Sequence, residues 1–355
     1  MLPRPDRLIR DEILRMSAYH VADSAGFVKL DAMENPYSLP EALREAVGSL
    51  AADAALNRYP DPSARVLKDR LRAAMGVPDG MELLLGNGSD ELIQIVAMAL
   101  ARPGAVMLGV EPSFVMYRMI AAFCGMRYEP VTLRADFTLD VDVCLAAIKH
   151  HQPALTFIAY PNNPTGNLFD HPYVSRMIEA SRGLVVVDEA YYAFADSSFL
   201  PRLADYPNLL LMRTVSKLGL AGVRLGLLAG RPAWIAEFDK VRLPYNINVL
   251  TQLIAERVLR EPKVLEDQAA AIRSERQRLT VALGRLPGVE AFPSSANFIL
   301  FRVARAAEVF AALKAQRVLV KNLDRAHPLL ANCLRVTVGT PAENDQFIEA
   351  LSAGS

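Results

Sequence analysis

Short apolar runs and longer stretches of mixed polarity alternate along the first 230 residues. The runs 83–85 (LLL), 105–110 (AVMLGV), 155–160 (LTFIAY), 184–188 (LVVVD), 208–213 (NLLLMR) and 225–229 (LGLLA) have strand length. Between them, 90–101, 114–124, 140–150 and 171–182 carry helical patterns. Near-continuous apolar strands separated by helices predict an α/β fold with a mostly parallel sheet covered on both faces. After about residue 245 the texture changes. Long charged helices over 250–284 precede a strand at 297–303, a helix near 306–316, strands at 317–321 and 334–338, and a final helix. That order suggests a smaller α+β domain. Residues 1–44 contain one strand-like run, 27–31 (FVKLD), and read as an arm that joins the small domain. The expected organisation is therefore an arm over 1–44, a large domain over 45–248 and a small domain over 249–355.

Composition narrows the function classes. The 355 residues are enough for a sizeable core, so neither disulfides nor a structural metal is needed, and no metal site is expected. Thirty-nine basic residues balance thirty-nine acidic ones, which argues against a dedicated nucleic-acid binder. Cys124, Cys144 and Cys333 are far apart with no CxxC spacing, as expected of reduced thiols in the cytosol. Charges interrupt the N-terminal MLPRPDRLIRDEIL every few residues, so it has no signal-peptide core. No apolar run reaches the roughly 18 residues that a membrane helix requires. The expected location is the cytoplasm, with no membrane partner.

The informative polar residues sit just after the strands. GNGSDE (86–91) follows the first run, EPSF (111–114) the second and PNNPTG (161–166) the third; Asp188 ends the fourth; Thr214, Ser216 and Lys217 follow the fifth. Ligands of open α/β sheets bind outside the carboxyl ends of the strands, so one shared site explains five clusters on one edge. In GNGSDE the glycines permit close backbone approach, and Ser89 and Asp90 open a helix whose free N–H groups and dipole can bind phosphate. Ser and Asp are also ordinary helix caps. The motif is neither a Walker A loop nor GxGxxG, so a small phosphate is better supported than a nucleotide. Asp188 closes an apolar strand and either caps the next helix or pairs with a buried cation, such as a protonated ring nitrogen. Lys217 lies among apolar residues and glycines, with Arg213 and Arg224 nearby in sequence. A desolvated lysine near other cations has a usable neutral amine, as a Schiff-base lysine requires.

Together these residues resemble the fold-type I pyridoxal-phosphate aminotransferases, and within them the histidinol-phosphate aminotransferase family. The carrying segments are LDAMENPY (30–37), RYPDP (58–62), GNGSDELI (86–93), YPNNPTG (160–166), VDEAYYAF (187–194), RTVSKLGLAGVRLG (213–226) and LRVTVGTPAEN (334–344), nearly the whole chain. The resemblance implies a large domain that binds pyridoxal 5'-phosphate. It also implies a role for each matching residue. Lys217 would carry the cofactor covalently and shuttle a proton between the substrate Cα and C4′. Asp188 would keep the pyridine nitrogen protonated. Asn163 and Tyr191 would hydrogen-bond the ring hydroxyl, and Phe114 would stack on the ring where many relatives use tyrosine. Ser89, Asp90, Ser216 and Arg224 would hold the cofactor phosphate. Tyr59 would reach that phosphate from the other subunit, making a homodimer with shared active sites. Arg335 would bind the anionic end of glutamate or of histidinol phosphate, with Tyr19 and Lys321 lining the substrate-phosphate pocket. The expected reaction converts histidinol phosphate and 2-oxoglutarate to imidazole acetol phosphate and glutamate, reversibly, in L-histidine biosynthesis.

Three positions depart from the family pattern. Met33 stands where relatives commonly have Asn, Lys321 where some have Arg, and the Lys217–Arg224 span is one residue shorter than in many members. A threonine-phosphate decarboxylase or an aromatic amino-acid aminotransferase of the same fold is the nearest alternative. A cofactor-binding regulator would need a DNA-binding domain, for which the arm is too short. A simple nucleotide-binding domain would have no use for Lys217 with Asp188.

Overall fold

The computed structural model describes residues 4–18 and 22–354. Its largest sheet has seven strands, in spatial order Glu82–Gly86, Gly226–Gly230, Leu209–Thr214, Leu184–Asp188, Leu155–Ala159, Val106–Glu111 and Arg127–Thr132. The Leu155–Ala159, Leu184–Asp188, Leu209–Thr214 and Gly226–Gly230 strands are buried along their whole length. Helices on both faces explain why these runs carry no polar alternation.

The sheet is mostly parallel, as expected, with two features that the sequence pattern does not reveal. Gly226–Gly230 runs antiparallel to both neighbours. Only residues 215–225 join it to Leu209–Thr214, which is too short a path for a parallel crossover with its helix. The Arg127–Thr132 strand (RYEPVT) gave no apolar signal because it is the sheet edge: mostly solvated, and carrying Pro130 where no inner strand would tolerate it.

A second, antiparallel sheet has the order Lys321–Asn322, Cys333–Thr337, Phe298–Val303 and Val289–Ala291. The run expected as one strand at 317–321 is split. Val318–Leu319 pairs in parallel with Val28–Lys29 of the arm, whereas Lys321 pairs with Arg335. The charged 250–284 stretch forms helices as expected, Val249–Val258 and Pro262–Leu283. Pro262 cannot sit inside a helix but suits the first position of a new one.

The topology puts Glu111, Ala159, Asp188 and Thr214, the last residues of four parallel strands, on one edge of the large sheet. Gly86 and Gly226 lie opposite one another on that same edge. Among the described residues no helix is long and apolar enough to cross a membrane.

Candidate active site

One wall of the site comes from the turn after Glu82–Gly86. Gly88 has φ +83°, open to glycine at no steric cost, and a Cβ there would stand 2.7 Å from an Arg224 nitrogen. Gly226 is equally constrained, because its Cβ would meet the Gly88 carbonyl carbon and the Ser89 nitrogen at 2.8 Å. The two glycines let Arg224 and the start of the Ser89–Leu100 helix close on one another. A guanidinium laid over a helix N-terminus is a cradle for a small anion. Thr214 Oγ1 accepts from the Ser216 N–H at 3.1 Å and lies 2.9 Å from its hydroxyl, fixing Ser216 beside that cradle.

The floor is formed by Asp188, only 5% exposed. Its carboxylate accepts from the Tyr117 hydroxyl at 2.7 Å and from the Ala190 N–H at 3.0 Å. Tyr117 stacks on Phe157 with ring centroids 4.6 Å apart and meets the edge of Phe114. On the opposite side, Asn163 donates to the Tyr191 hydroxyl at 3.1 Å, and Tyr191 in turn lies 3.2 Å from the Met33 sulfur. Lys217 donates to the Ala32 carbonyl at 3.1 Å. Arg335, also 5% exposed, reaches over from the small sheet to donate to Asn163 Oδ1 at 2.5 Å and to the Asp31 carbonyl at 3.0 Å.

Nine of the residues singled out from sequence therefore line one cavity: Ser89, Asp90, Phe114, Asn163, Asp188, Tyr191, Ser216, Lys217 and Arg224. Arg335 and Lys321 line a larger cleft that shares Met33, Phe114 and Asn163 with it. Tyr59 is elsewhere, 80% exposed and stacked on Tyr245 with centroids 4.4 Å apart. Tyr19 lies outside the described residues. Tyr117, which lines the same cavity, is not singled out by the sequence. It looks like one more large residue on an apolar helix face, and only the tertiary contact with Asp188 distinguishes it. Among the described residues no group of three or more His, Cys, Asp or Glu could hold a metal ion.

Comparison with known proteins identifies the family. The sequence model of the family "Aminotransferase class I and II" matches residues 25–351. The chain belongs to the class I and II aminotransferases. Histidinol-phosphate aminotransferase 1 of Ralstonia nicotianae is 57% identical over 98% of this chain and 94% of its own. Histidinol-phosphate aminotransferase 2 of Cupriavidus pinatubonensis is 56% identical over 98% of this chain and 96% of its own. A solved structure of histidinol-phosphate aminotransferase from Sinorhizobium meliloti, in complex with pyridoxal-5'-phosphate, shares the fold with a TM-score of 0.86 at 24% identity. It covers 98% of this chain and 97% of that one.

The charges of this aminotransferase suit proton transfer. Burial pushes the Asp188 carboxyl up to about 6, while the Tyr117 and Ala190 hydrogen bonds hold it down. Burial, helped by the Arg335 cation, lowers Lys217 to about 8, against the pull of Glu34 and Asp90. Asp90 is raised by burial and restrained by the Arg224 and Lys217 cations. Among the described residues the site thus offers an amine that loses its proton readily, a buried carboxylate without a cationic side chain on it, and an anion cradle. These are the parts that a class I and II aminotransferase needs around a flat, phosphate-bearing group.

Proposed function

We propose that this aminotransferase uses pyridoxal 5'-phosphate to move the amino group between histidinol phosphate and 2-oxoglutarate, giving imidazole acetol phosphate and glutamate, in L-histidine biosynthesis in the cytoplasm. The observation that carries the reading is that Lys217 and Asp188 line one cavity together with Ser89 at the helix start and Arg224 beside it. Relatives sharing 51–57% of their residues with this chain over nearly its full length bear the corresponding name.

The residues present fit the cofactor. Among the described residues Asp188 is a buried carboxylate held by neutral donors, the environment in which a protonated ring nitrogen is the missing counterion. The Ser89 and Ser216 side chains, Arg224 and the helix amides would take the phosphate. Asn163 and Tyr191 would take the ring hydroxyl, and Phe114 one ring face. The cofactor, when bound, supplies an electron sink for the substrate's Cα carbanion. The protein's part is acid–base chemistry and positioning. Lys217 Nζ would take the substrate's Cα proton and deliver it to C4′ of the cofactor, a task for which an amine of pKa near working pH is well matched. Arg335 orients the substrate's anionic end with its planar fork, and Lys321 adds a second cation in the same cleft.

The exposed Tyr59 fits the same proposal if the working unit is a homodimer in which this ring completes the partner's phosphate site. Its exposure and its position outside its own cavity's lining support that arrangement.

The test is a single-turnover spectrum. Purified protein loaded with pyridoxal 5'-phosphate is mixed with histidinol phosphate, glutamate or threonine phosphate. Conversion to the amine form of the cofactor by the first two, without release of carbon dioxide from the third, is expected. Carbon dioxide release from threonine phosphate, with no response to histidinol phosphate, would replace the reading by a decarboxylase.

A further inference from the structure

Directly behind the cavity, on the opposite face of the sheet edge, lies a fully buried ion pair. Glu189 is 0% exposed and Arg213 is 5% exposed. Arg213 donates to Glu189 Oε2 through Nε at 3.0 Å and through NH2 at 2.7 Å. The Phe199 N–H at 2.6 Å and the Ser198 hydroxyl at 2.8 Å complete the carboxylate's partners. The guanidinium also donates to the Met75 carbonyl at 3.1 Å and stacks 4.0 Å over the Tyr192 ring. Neither charge lines the cavity.

The sequence neighbours give the pair its meaning. Glu189 follows Asp188, and Arg213 precedes Thr214, which fixes Ser216 next to Lys217. Tyr192, under the guanidinium, follows Tyr191. Asp188 and Met212 are direct neighbours across the two strands, and the Glu189 N–H donates to the Met212 carbonyl at 2.8 Å. Two N–H groups of one guanidinium converging on the single oxygen Oε2 allow little sliding or rotation between the strand ends that carry these groups. An apolar pair would fill such a site at similar or better stability, because both charges must be desolvated. A charge pair retained here calls for a reason other than packing.

We propose that Glu189 and Arg213 are positioning residues: a buried clamp that holds the Asp188, Tyr191 and Lys217 segments in register and keeps the charge behind Asp188 neutral. The proposal rests on the aminotransferase reading of the cavity. Glu189 alone would set a second negative charge beside Asp188 and raise its proton affinity, as its carboxylate does in part already. Arg213 offsets that field. The other charged groups that act on Asp188 or Lys217 are Asp90, Arg224, Glu34 and Arg335.

The experiment uses the enzyme loaded with pyridoxal 5'-phosphate and compares wild type with the neutral double variant Glu189→Gln/Arg213→Gln and with Arg213→Lys, which keeps the charge but loses the fork. The readouts are the pH midpoint of the bound cofactor's visible absorbance and the separate kcat and KM for the amine donor. The double variant is expected to move the midpoint by 0.5 pH unit or more and to lower kcat at least tenfold, with KM changed less than threefold. Arg213→Lys is expected to lower kcat at least fivefold. A folded double variant whose midpoint stays within 0.2 unit and whose kcat stays within twofold overturns the proposal. If the double variant does not fold, Arg213→Lys decides alone, and wild-type kcat and midpoint overturn the proposal equally. Absence of any visible band in wild-type protein would instead remove the cofactor reading itself.

Discussion

Replacing Asp188 by Asn should make the cofactor-free protein more stable and the loaded enzyme far slower. Asp188 is buried, and its pKa is raised from the ordinary 3.8 to about 6. For a carboxyl with a raised pKa the folded state binds the proton more tightly than the unfolded one. Stability from this group is therefore present below about pH 4 and is lost as pH rises toward 6. A pKa raised that far costs the folded protein about 3 kcal/mol at pH 8. Asn is neutral at every pH and removes that loss. Its amide can still accept from the Ala190 N–H and donate to the Tyr117 oxygen, whose hydroxyl turns around, at a cost of about 1 kcal/mol in hydrogen bonding. Urea unfolding of cofactor-free protein should then find the variant about 2 kcal/mol more stable at pH 8 and no more stable at pH 4.5. The same change removes the partner of a buried cation in the loaded enzyme, about 3–5 kcal/mol, or on the order of a 100-fold loss or more in kcat. A variant that is less stable at pH 8, or whose stability difference does not change with pH, would show that Asp188 carries no burden in the free protein. A kcat within threefold of wild type would refute its role at the ring nitrogen.

Four further outcomes follow from the site. Lys217→Ala should lose steady turnover while still binding some cofactor non-covalently, and near-normal turnover would end its assignment as the covalent and proton-transferring residue. Tyr117→Phe removes the 2.7 Å hydrogen bond that holds the Asp188 proton affinity down; the acid limb of the kcat profile should move to higher pH, and an unmoved limb would count against the contact. Arg335→Ala should weaken both histidinol phosphate and glutamate, by roughly 2–5 kcal/mol for a buried contact, whereas Lys321→Ala should hurt the phosphate substrate more; equal losses for both substrates in the Lys321 variant would sink a dedicated phosphate pocket. Mixing inactive Lys217→Ala and Tyr59→Ala chains under verified subunit exchange should restore part of the activity, and no recovery would argue against shared sites.

The large sheet and the position of the site were readable in the sequence for a simple reason. Inner parallel strands are buried on both faces, so they announce themselves as unbroken apolar runs, and the chemistry sits on the short segments that follow them. Lys217, Asp188 and Asn163 could be found that way. What could not be found depends on contacts between elements. Tyr117 reads as helix filler until the fold brings it to Asp188. Glu189 and Arg213 are separated by the whole 190–212 segment, and no local rule pairs them. The Arg127–Thr132 strand escaped because an edge strand has little apolar pattern to show, and the antiparallel direction of Gly226–Gly230 depends on a connection length rather than on its residues. Val318 and Lys321 looked like one strand because the residues between them are apolar, and only the arm at Val28 divides them between two sheets.

In the proposed reading, the site would gain its reactivity from two groups that the fold leaves uncomfortable. Asp188 and Lys217 are opposite charges lining one cavity, yet among the described residues no ion pair joins them. Each is met by neutral partners instead: a tyrosine hydroxyl and a backbone N–H for the carboxylate, a backbone carbonyl for the amine. Burial accordingly drives both toward their uncharged forms, the carboxyl up and the amine down. A direct salt bridge would relieve that penalty, but it would also fix Lys217 as a protonated ammonium and leave Asp188 with nothing to offer a ligand. Holding them apart preserves a basic amine at one end of the cavity and an unneutralised carboxylate at the floor. A ligand that brings an electrophilic carbon to the first and a protonated nitrogen to the second relieves both penalties at once. The stability forgone in the free protein thus becomes binding selectivity for a molecule with those two features at the right separation, and the phosphate cradle at Ser89 and Arg224 adds a third point that fixes its orientation.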